Sequence, residues 1–132
     1  FFFFFTDKNY MKILIVDDSK VNLIMISKML ESLGNKVLIA NNGHDAFEVI
    51  NNNPLIDLIL LDLDMPVMDG LEFLKKNSVE SIFDIPVIMM IPEKKLKNNN
   101  SGPINSSIDY ISKPFTPLSL ENKMKELFNC CA

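Results

Sequence analysis

Short apolar runs alternate with amphipathic stretches along the chain, and this alternation restricts the fold more than any other feature. Each run is four to six residues long and nearly free of polar residues. Runs of that length are too short for helices and indicate strands buried on both faces. The stretches between them carry apolar residues at three- and four-residue steps, which is typical of helices. The pattern therefore predicts an α/β fold in which helices cover a parallel sheet.

The elements can be placed on the sequence. The first predicted helix has one apolar face made by residues at helical spacing: Val21, Ile24, Met25, Met29 and Leu33. A helix is due between the fourth and fifth strands, but the Asn- and Gly-containing run at 98–103 would break one, so we predict at most two turns at 93–97. Loop drift and a functional change explain the loss of this helix equally well. The predicted strands are 12–16, 37–40, 58–61, 86–91 and 108–111, and the predicted helices are 21–33, 46–50, 71–79 and 117–128.

Length and charge narrow the class of protein. The 132 residues suit one domain, and 48% hydrophobic with 23% charged residues excludes a disordered or fibrous chain. A net charge of −4 argues against nucleic-acid partners and against anionic membranes. All 13 basic residues are lysine, so the chain has no guanidinium group for bidentate phosphate binding.

The two ends of the sequence contain no targeting signal. Five phenylalanines at 1–5 are too few to span a bilayer, and no signal-peptide pattern follows them. Both cysteines lie at 130–131, and a chain body without cysteine fits a reducing cytosol. We predict a tail or linker over 1–10, one domain over 11–128 and a tail over 129–132. The domain is expected to be cytoplasmic and not inserted in a membrane.

Charged residues follow several of the predicted strands. Asp17 and Asp18 follow the first strand, Asp62 follows the third and Lys113 follows the fifth. Ligands of open α/β sheets bind beyond the carboxyl ends of the strands. If the first and third strands are neighbours, three carboxylates converge and repel one another unless a cation neutralises them. This all-oxygen set suits Mg²⁺, and one carboxylate would remain free to accept a phosphoryl group.

Three motifs carry a resemblance to a known family. They are Ile-Leu-Ile-Val-Asp-Asp-Ser at 13–19, the Asp-to-Gly segment at 57–70 with its Met-Pro-Val-Met-Asp-Gly ending, and Asp-Tyr-Ile-Ser-Lys-Pro-Phe at 109–115. Together they resemble the CheY-like receiver domain of response regulators. Asn22 adds to the resemblance, because it is part of the pattern typical of receivers attached to hybrid histidine kinases. The resemblance implies a flavodoxin-like, doubly wound sheet of five parallel strands in the order 2-1-3-4-5, with a degenerate fourth helix.

The resemblance also implies roles for the charged residues. Asp62 would accept a phosphoryl group from a phosphohistidine on a histidine kinase or a histidine phosphotransfer domain. Asp18 would bind Mg²⁺ directly, Asp17 mostly through water, and Asp64 through its backbone carbonyl. Lys113 would pair with a phosphoryl oxygen.

One position departs from the family. The fourth strand of a receiver ends in Thr or Ser, whose hydroxyl binds the phosphoryl group, but Ile91 stands there and no Ser or Thr occurs over 87–100. A missing hydrogen bond to a charged group removes about 1.5–3 kcal/mol of stabilisation. Ile91 would also fill the space into which Tyr110, at the family's switch position, turns. We therefore expect phosphate acceptance with weakened switching, and a cis peptide bond before Pro114.

Two other functions stay open at this point. A pseudo-receiver, meaning a phosphate-independent interaction module, would keep the fold and would explain Ile91. The segment around Asp62 and Asp64 also resembles the nucleophile motif of haloacid-dehalogenase-type phosphatases, although Pro66 stands where that family has Thr or Val. We expect no enzyme activity beyond self-phosphorylation and autodephosphorylation.

Overall fold

Helices and strands alternate through the chain, and a computed structural model describes residues 10–97 and 109–128. The elements, in order, are β1 (Lys12–Val16), α1 (Lys20–Ser32), β2 (Lys36–Ala40), α2 (Gly43–Asn52), β3 (Leu58–Asp62), α3 (Gly70–Glu80), β4 (Val87–Pro92), α4 (Glu93–Lys97), β5 (Tyr110–Lys113) and α5 (Pro117–Phe128). Positions 1–9, 98–108 and 129–132 lie outside the described residues. The predicted tails and the asparagine run at 98–103 therefore stay predictions.

The strands form a single sheet in the order β2-β1-β3-β4-β5, and every pairing is parallel. This confirms the predicted fold class and strand order. In the ladder between β1 and β3, Val16 lies opposite Leu61. Asp17 and Asp62 therefore follow at the same edge of the sheet, side by side.

Each face of the sheet has its own core, because neighbouring residues of a strand point to opposite faces. One face packs against α2 and α3, and the other packs against α1 and α5. The three central strands are buried on both faces, as their continuous apolar sequences predict. The first core includes Val16, Ile59, Leu61, Phe73 and Ile91, and the second includes Ile15, Leu30, Leu60, Met90 and Leu120.

The apolar face that the sequence indicated for the first helix is not the face that packs on the sheet. Helix α1 packs on the sheet through Leu23, Ile26 and Leu30. The expected face is turned outward at Val21, Ile24 and Met25, whose side chains are 65%, 56% and 52% exposed. The sequence of α1 is apolar on both sides at helical spacing, so periodicity alone could not distinguish the two faces. The result is an apolar surface that α1 presents to solvent.

The region after β4 agrees with the sequence in part. Helix α4 is five residues long, as predicted for 93–97. Strand β5 extends two residues beyond its predicted end, because Ser112 pairs with Ile91 and Lys113 pairs with Pro92. None of the helices in the described ranges is long and apolar enough to cross a membrane.

Candidate functional site

Three carboxylates meet at the carboxyl edge of the sheet. Asp17 follows β1 directly, Asp18 comes next, and Asp62 is the last residue of β3. One oxygen of each lies within 4.8 Å of the others. Asp17 and Asp62 are buried, whereas Asp18 is exposed. The structure therefore brings together the acidic residues that the sequence placed at the strand ends.

Lys113 reaches the same cluster from β5. Its Nζ donates to Oδ1 of Asp62 at 2.8 Å and lies 3.6 Å from Oδ2 of Asp17. The following peptide bond, Lys113–Pro114, is cis, as the family resemblance implied. One lysine thus pairs with both buried carboxylates, and the cluster keeps an excess of negative charge.

Helix α1 holds Asp17 in place. The backbone N–H of Ser19 donates to Oδ1 of Asp17 at 2.9 Å, and the Asn22 side-chain amide donates to Oδ2 at 3.3 Å. Ser19 also caps the helix by accepting from the Asn22 backbone N–H at 3.2 Å. Sequence reasoning treated Asn22 as part of a pattern and missed it as a site residue. Its place in the first turn after the aspartate pair was the available signal.

Burial and charge shift the ionisation of the site. Burial raises the pKa of Asp62 to about 6, and the charge of Asp17 acts in the same direction. Hydrogen bonds from Lys113 and from the backbone N–H of Asp64 limit that rise. Burial alone would lower the pKa of Lys113, but its hydrogen bond to Asp62 and the charges of Asp62 and Asp17 raise it above its ordinary value.

The donor set of this cluster fits a hard divalent cation. Asp17, Asp18 and Asp62 supply only oxygen atoms, and Mg²⁺ prefers oxygen ligands and needs few of them from the protein. The single lysine does not balance three carboxylates. A cation bound among them would lower their mutual repulsion.

A glycine allows α3 to begin against the backbone of Asp62. The N–H of Gly70 donates to the carbonyl of Leu63 at 2.9 Å. A Cβ atom at Gly70 would lie 2.7 Å from the carbonyl oxygen of Asp62 and 2.8 Å from Sδ of Met89. These distances are too short for any side chain. The absence of a side chain at Gly70 thus allows α3 to lie against the end of β3, where Asp62 stands.

Residues 13–125 of the chain match the family described as the response regulator receiver domain. The chain belongs to this family. The receiver is 34% identical over 119 residues to a chemotaxis protein CheY homolog of Campylobacter jejuni, covering 89% of this chain and 92% of that protein. Its role in two-component signalling follows from the family.

Solved structures support the same assignment. The receiver superposes on the chemotaxis protein CheY4 of Vibrio cholerae with a TM-score of 0.72 and 31% identity, covering 90% of this chain and 99% of that one. It is also similar to the receiver domain of the hybrid histidine kinase CckA, with a TM-score of 0.68 and 25% identity, covering 87% and 96% of the two chains. Both stand-alone and kinase-linked receivers are therefore structural relatives.

Ile91 and Tyr110, for which the resemblance implied a role in switching, lie in different surroundings. Ile91 is fully buried in the core under α2 and α3. The Tyr110 side chain is 38% exposed, and its ring centroid lies 5.8 Å from Nζ of Lys123 on α5. Tyr110 is thus directed outward, and the end of β4 offers a branched alkyl group where a receiver usually offers a hydroxyl.

The mouth of the site contains an ion pair that the sequence analysis did not predict. Nζ of Lys95, on α4, donates to Oδ1 of Asp64 at 2.6 Å. Both side chains are nearly half exposed. The pair links α4 to the loop that follows Asp62. No spacing rule connects two residues this far apart in sequence, so only the fold shows the contact.

Proposed function

We propose that this receiver accepts a phosphoryl group on Asp62 from a phosphohistidine of a histidine kinase or a histidine phosphotransfer domain. The observation that carries the proposal is the 2.8 Å contact between Lys113 Nζ and a buried Asp62 carboxylate, beside two further carboxylates. Asp17, Asp18, Asp62 and the backbone carbonyl of Asp64 would hold Mg²⁺. Bound there, the ion would neutralise the carboxylates and the phosphoryl oxygens. The domain would act in the cytoplasm.

The residues of the site suit a direct transfer between nitrogen and oxygen. A carboxylate oxygen of Asp62 attacks phosphorus as the bond to the histidine nitrogen breaks, and the electron pair of that bond returns to the imidazole. With a pKa of about 6, Asp62 is mostly ionised at pH 7 and is therefore nucleophilic. Lys113 already lies against Asp62 and would pair with a transferred phosphoryl oxygen.

The exposed apolar face of α1 supports a protein donor. Val21, Ile24 and Met25 lie on the helix that follows Asp17 and Asp18 directly. A groove of about 360 Å³ is lined by Met25 of this face and by Lys113 and Phe115, so it joins the α1 surface to the site of Asp62. We propose that the protein bearing the phosphohistidine docks on this surface.

Ile91 favours a second candidate, the phosphate-independent pseudo-receiver. Ile91 stands at the sequence position where the resemblance implied a hydroxyl, and its buried side chain would occupy the space that an inward-turning Tyr110 needs. We propose an intermediate case, in which phosphate is accepted and the Tyr110 response is weak. The domain would then not be an enzyme beyond forming and losing its own acyl phosphate.

A phosphodonor assay separates the candidates. The protein is incubated with Mg²⁺ and acetyl phosphate, and an acid-stable, base-labile adduct is sought in wild type and in Asp62→Asn. A receiver forms the adduct in wild type only, and a pseudo-receiver forms none. Sustained hydrolysis of a free phosphate ester such as p-nitrophenyl phosphate would favour a phosphatase and contradict the proposal.

A further inference from the structure

An ion pair connects helix α4 to the acceptor loop, which is the segment 63–69 that follows Asp62. Lys95 Nζ lies 2.6 Å from Asp64 Oδ1, and the backbone N–H of Asp64 donates to the carboxylate of Asp62. The acceptor carboxylate, the loop after it and α4 therefore form one chain of contacts. Residue 91 takes no part in this chain.

The core side of α4 is held by a single apolar side chain. Leu96 is half-buried and packs on the core that contains Ile91. Lys95 next to it reaches the acceptor side through its contact with Asp64. A change in the partner of the Lys95 ammonium group would thus act directly on α4.

Phosphorylation changes the competition for the Lys95 ammonium group. The phosphoryl group replaces the single negative charge of the Asp62 carboxylate with about 1.5 to 2 and adds three strong acceptor oxygens, so the cluster gains negative charge even with Lys113 and Mg²⁺ bound. A lysine ammonium sits on a flexible stem with three donors, so it can change partners without a defined fork geometry. The present pair is nearly half exposed and only weakly favourable, so a stronger acceptor would compete with Asp64 for the ammonium group.

Building on the proposed function, we propose that Lys95 couples phosphorylation to α4 by moving its ammonium group from Asp64 to the phosphoryl group on Asp62. The ion pair Lys95–Asp64 marks the unphosphorylated form. In the phosphorylated form Lys95 contacts phosphoryl oxygen and α4 shifts towards the acceptor. This route needs no hydroxyl at position 91.

The test follows backbone amide signals by ¹H–¹⁵N NMR before and after phosphorylation with Mg²⁺ and acetyl phosphate. The variants are Lys95→Gln and, as the exposed neighbour on the same helix, Lys94→Gln. Adduct formation is measured separately by mass spectrometry. We expect the Lys95 and Leu96 amide shifts to fall to less than half of the wild-type values in Lys95→Gln and to persist in Lys94→Gln. The Leu63 amide is expected to shift in all three proteins.

The possible results distinguish coupling by Lys95 from phosphate acceptance by Asp62. Equal α4 shifts in Lys95→Gln and Lys94→Gln, with adduct present, overturn the coupling and leave the proposed function intact. Failure of Lys95→Gln to form an adduct would place Lys95 in the transfer step rather than in coupling. Absence of an adduct in wild type defeats both proposals.

Discussion

Lys113 Nζ and Asp62 Oδ1 lie 2.8 Å apart, although β4 separates the strands that carry them. The contact requires the parallel order of β3, β4 and β5, because only then do residues far apart in sequence end at one edge. The contact also shows how the positive charge of Lys113 is shared within the site. One ammonium group pairs with two buried carboxylates, so the site keeps an excess of negative charge that suits a further cation.

Replacing Asp62 with Asn should stabilise the domain at neutral pH without Mg²⁺. Burial raises the pKa of Asp62 from 3.8 to about 6, so its contribution to stability is complete below about pH 4 and is lost as the pH rises through about 6. We expect the free energy of unfolding of Asp62→Asn to exceed that of wild type by roughly 1–3 kcal/mol at pH 7. Urea titrations over pH 4 to 8 measure this, and the difference should shrink towards pH 4.

The exposed Asp84→Asn variant provides the control for that titration, because its carboxylate lies away from the cluster. Its unfolding free energy should follow wild type at every pH. A destabilised Asp62→Asn at pH 7 would contradict the account of the buried charge.

Restoring a hydroxyl at position 91 should strengthen the conformational response. Ile91→Thr introduces a donor that can bind the phosphoryl group, and Ile91→Val removes the same bulk without the hydroxyl. Both variants lose core packing, and we expect roughly 1–3 kcal/mol for Thr and about 0.5–1.5 kcal/mol for Val. Tyr110 ring signals should shift more on phosphorylation in the Thr variant. Equal shifts in the two variants would show that the hydroxyl is not the missing element.

A side chain at Gly70 should disturb the acceptor loop. In Gly70→Ala the new Cβ meets backbone at 2.7 Å and Met89 Sδ at 2.8 Å, so the loop must move. We expect a loss of roughly 1–3 kcal/mol in urea unfolding. Gly43→Ala is the matched control, because the nearest atom there is the flexible Met68 Sδ at 2.7 Å. A larger loss at Gly43 than at Gly70 would refute this explanation.

A charge on the exposed face of α1 should slow phosphoryl transfer from a protein donor but not from acetyl phosphate. Ile24→Glu leaves the core intact because the side chain is 56% exposed. We expect transfer from a phosphorylated histidine phosphotransfer domain to slow at least tenfold, with the acetyl phosphate rate unchanged. Val79→Glu, at an apolar position on α3 that is 75% exposed, is the control. Equal slowing in both variants would mean that α1 is not the docking surface.

The sequence predicted the sheet well, for a physical reason. Strands buried on both faces are continuous apolar runs, and the runs of β1 and β3 each lead directly into an aspartate. The acidic cluster could be predicted because parallel strands share one carboxyl edge. The buried face of α1 could not be predicted, because apolar residues occur at helical spacing on both sides of the helix. Leu23 belongs to the buried side and Ile24 to the exposed side. Lys95 was missed because its contact with Asp64 spans 31 positions and depends on where α4 lies.

The central claim is that Asp62 carries the phosphoryl group, and site-resolved mass spectrometry tests it most directly. The intact protein is treated with Mg²⁺ and acetyl phosphate, and the modified residue is located after mild reduction of the acyl phosphate. The account predicts one added phosphoryl group, located at Asp62, lost on removal of Mg²⁺ and absent from Asp62→Asn. An unmodified wild type, or the same modification in Asp62→Asn, would contradict it.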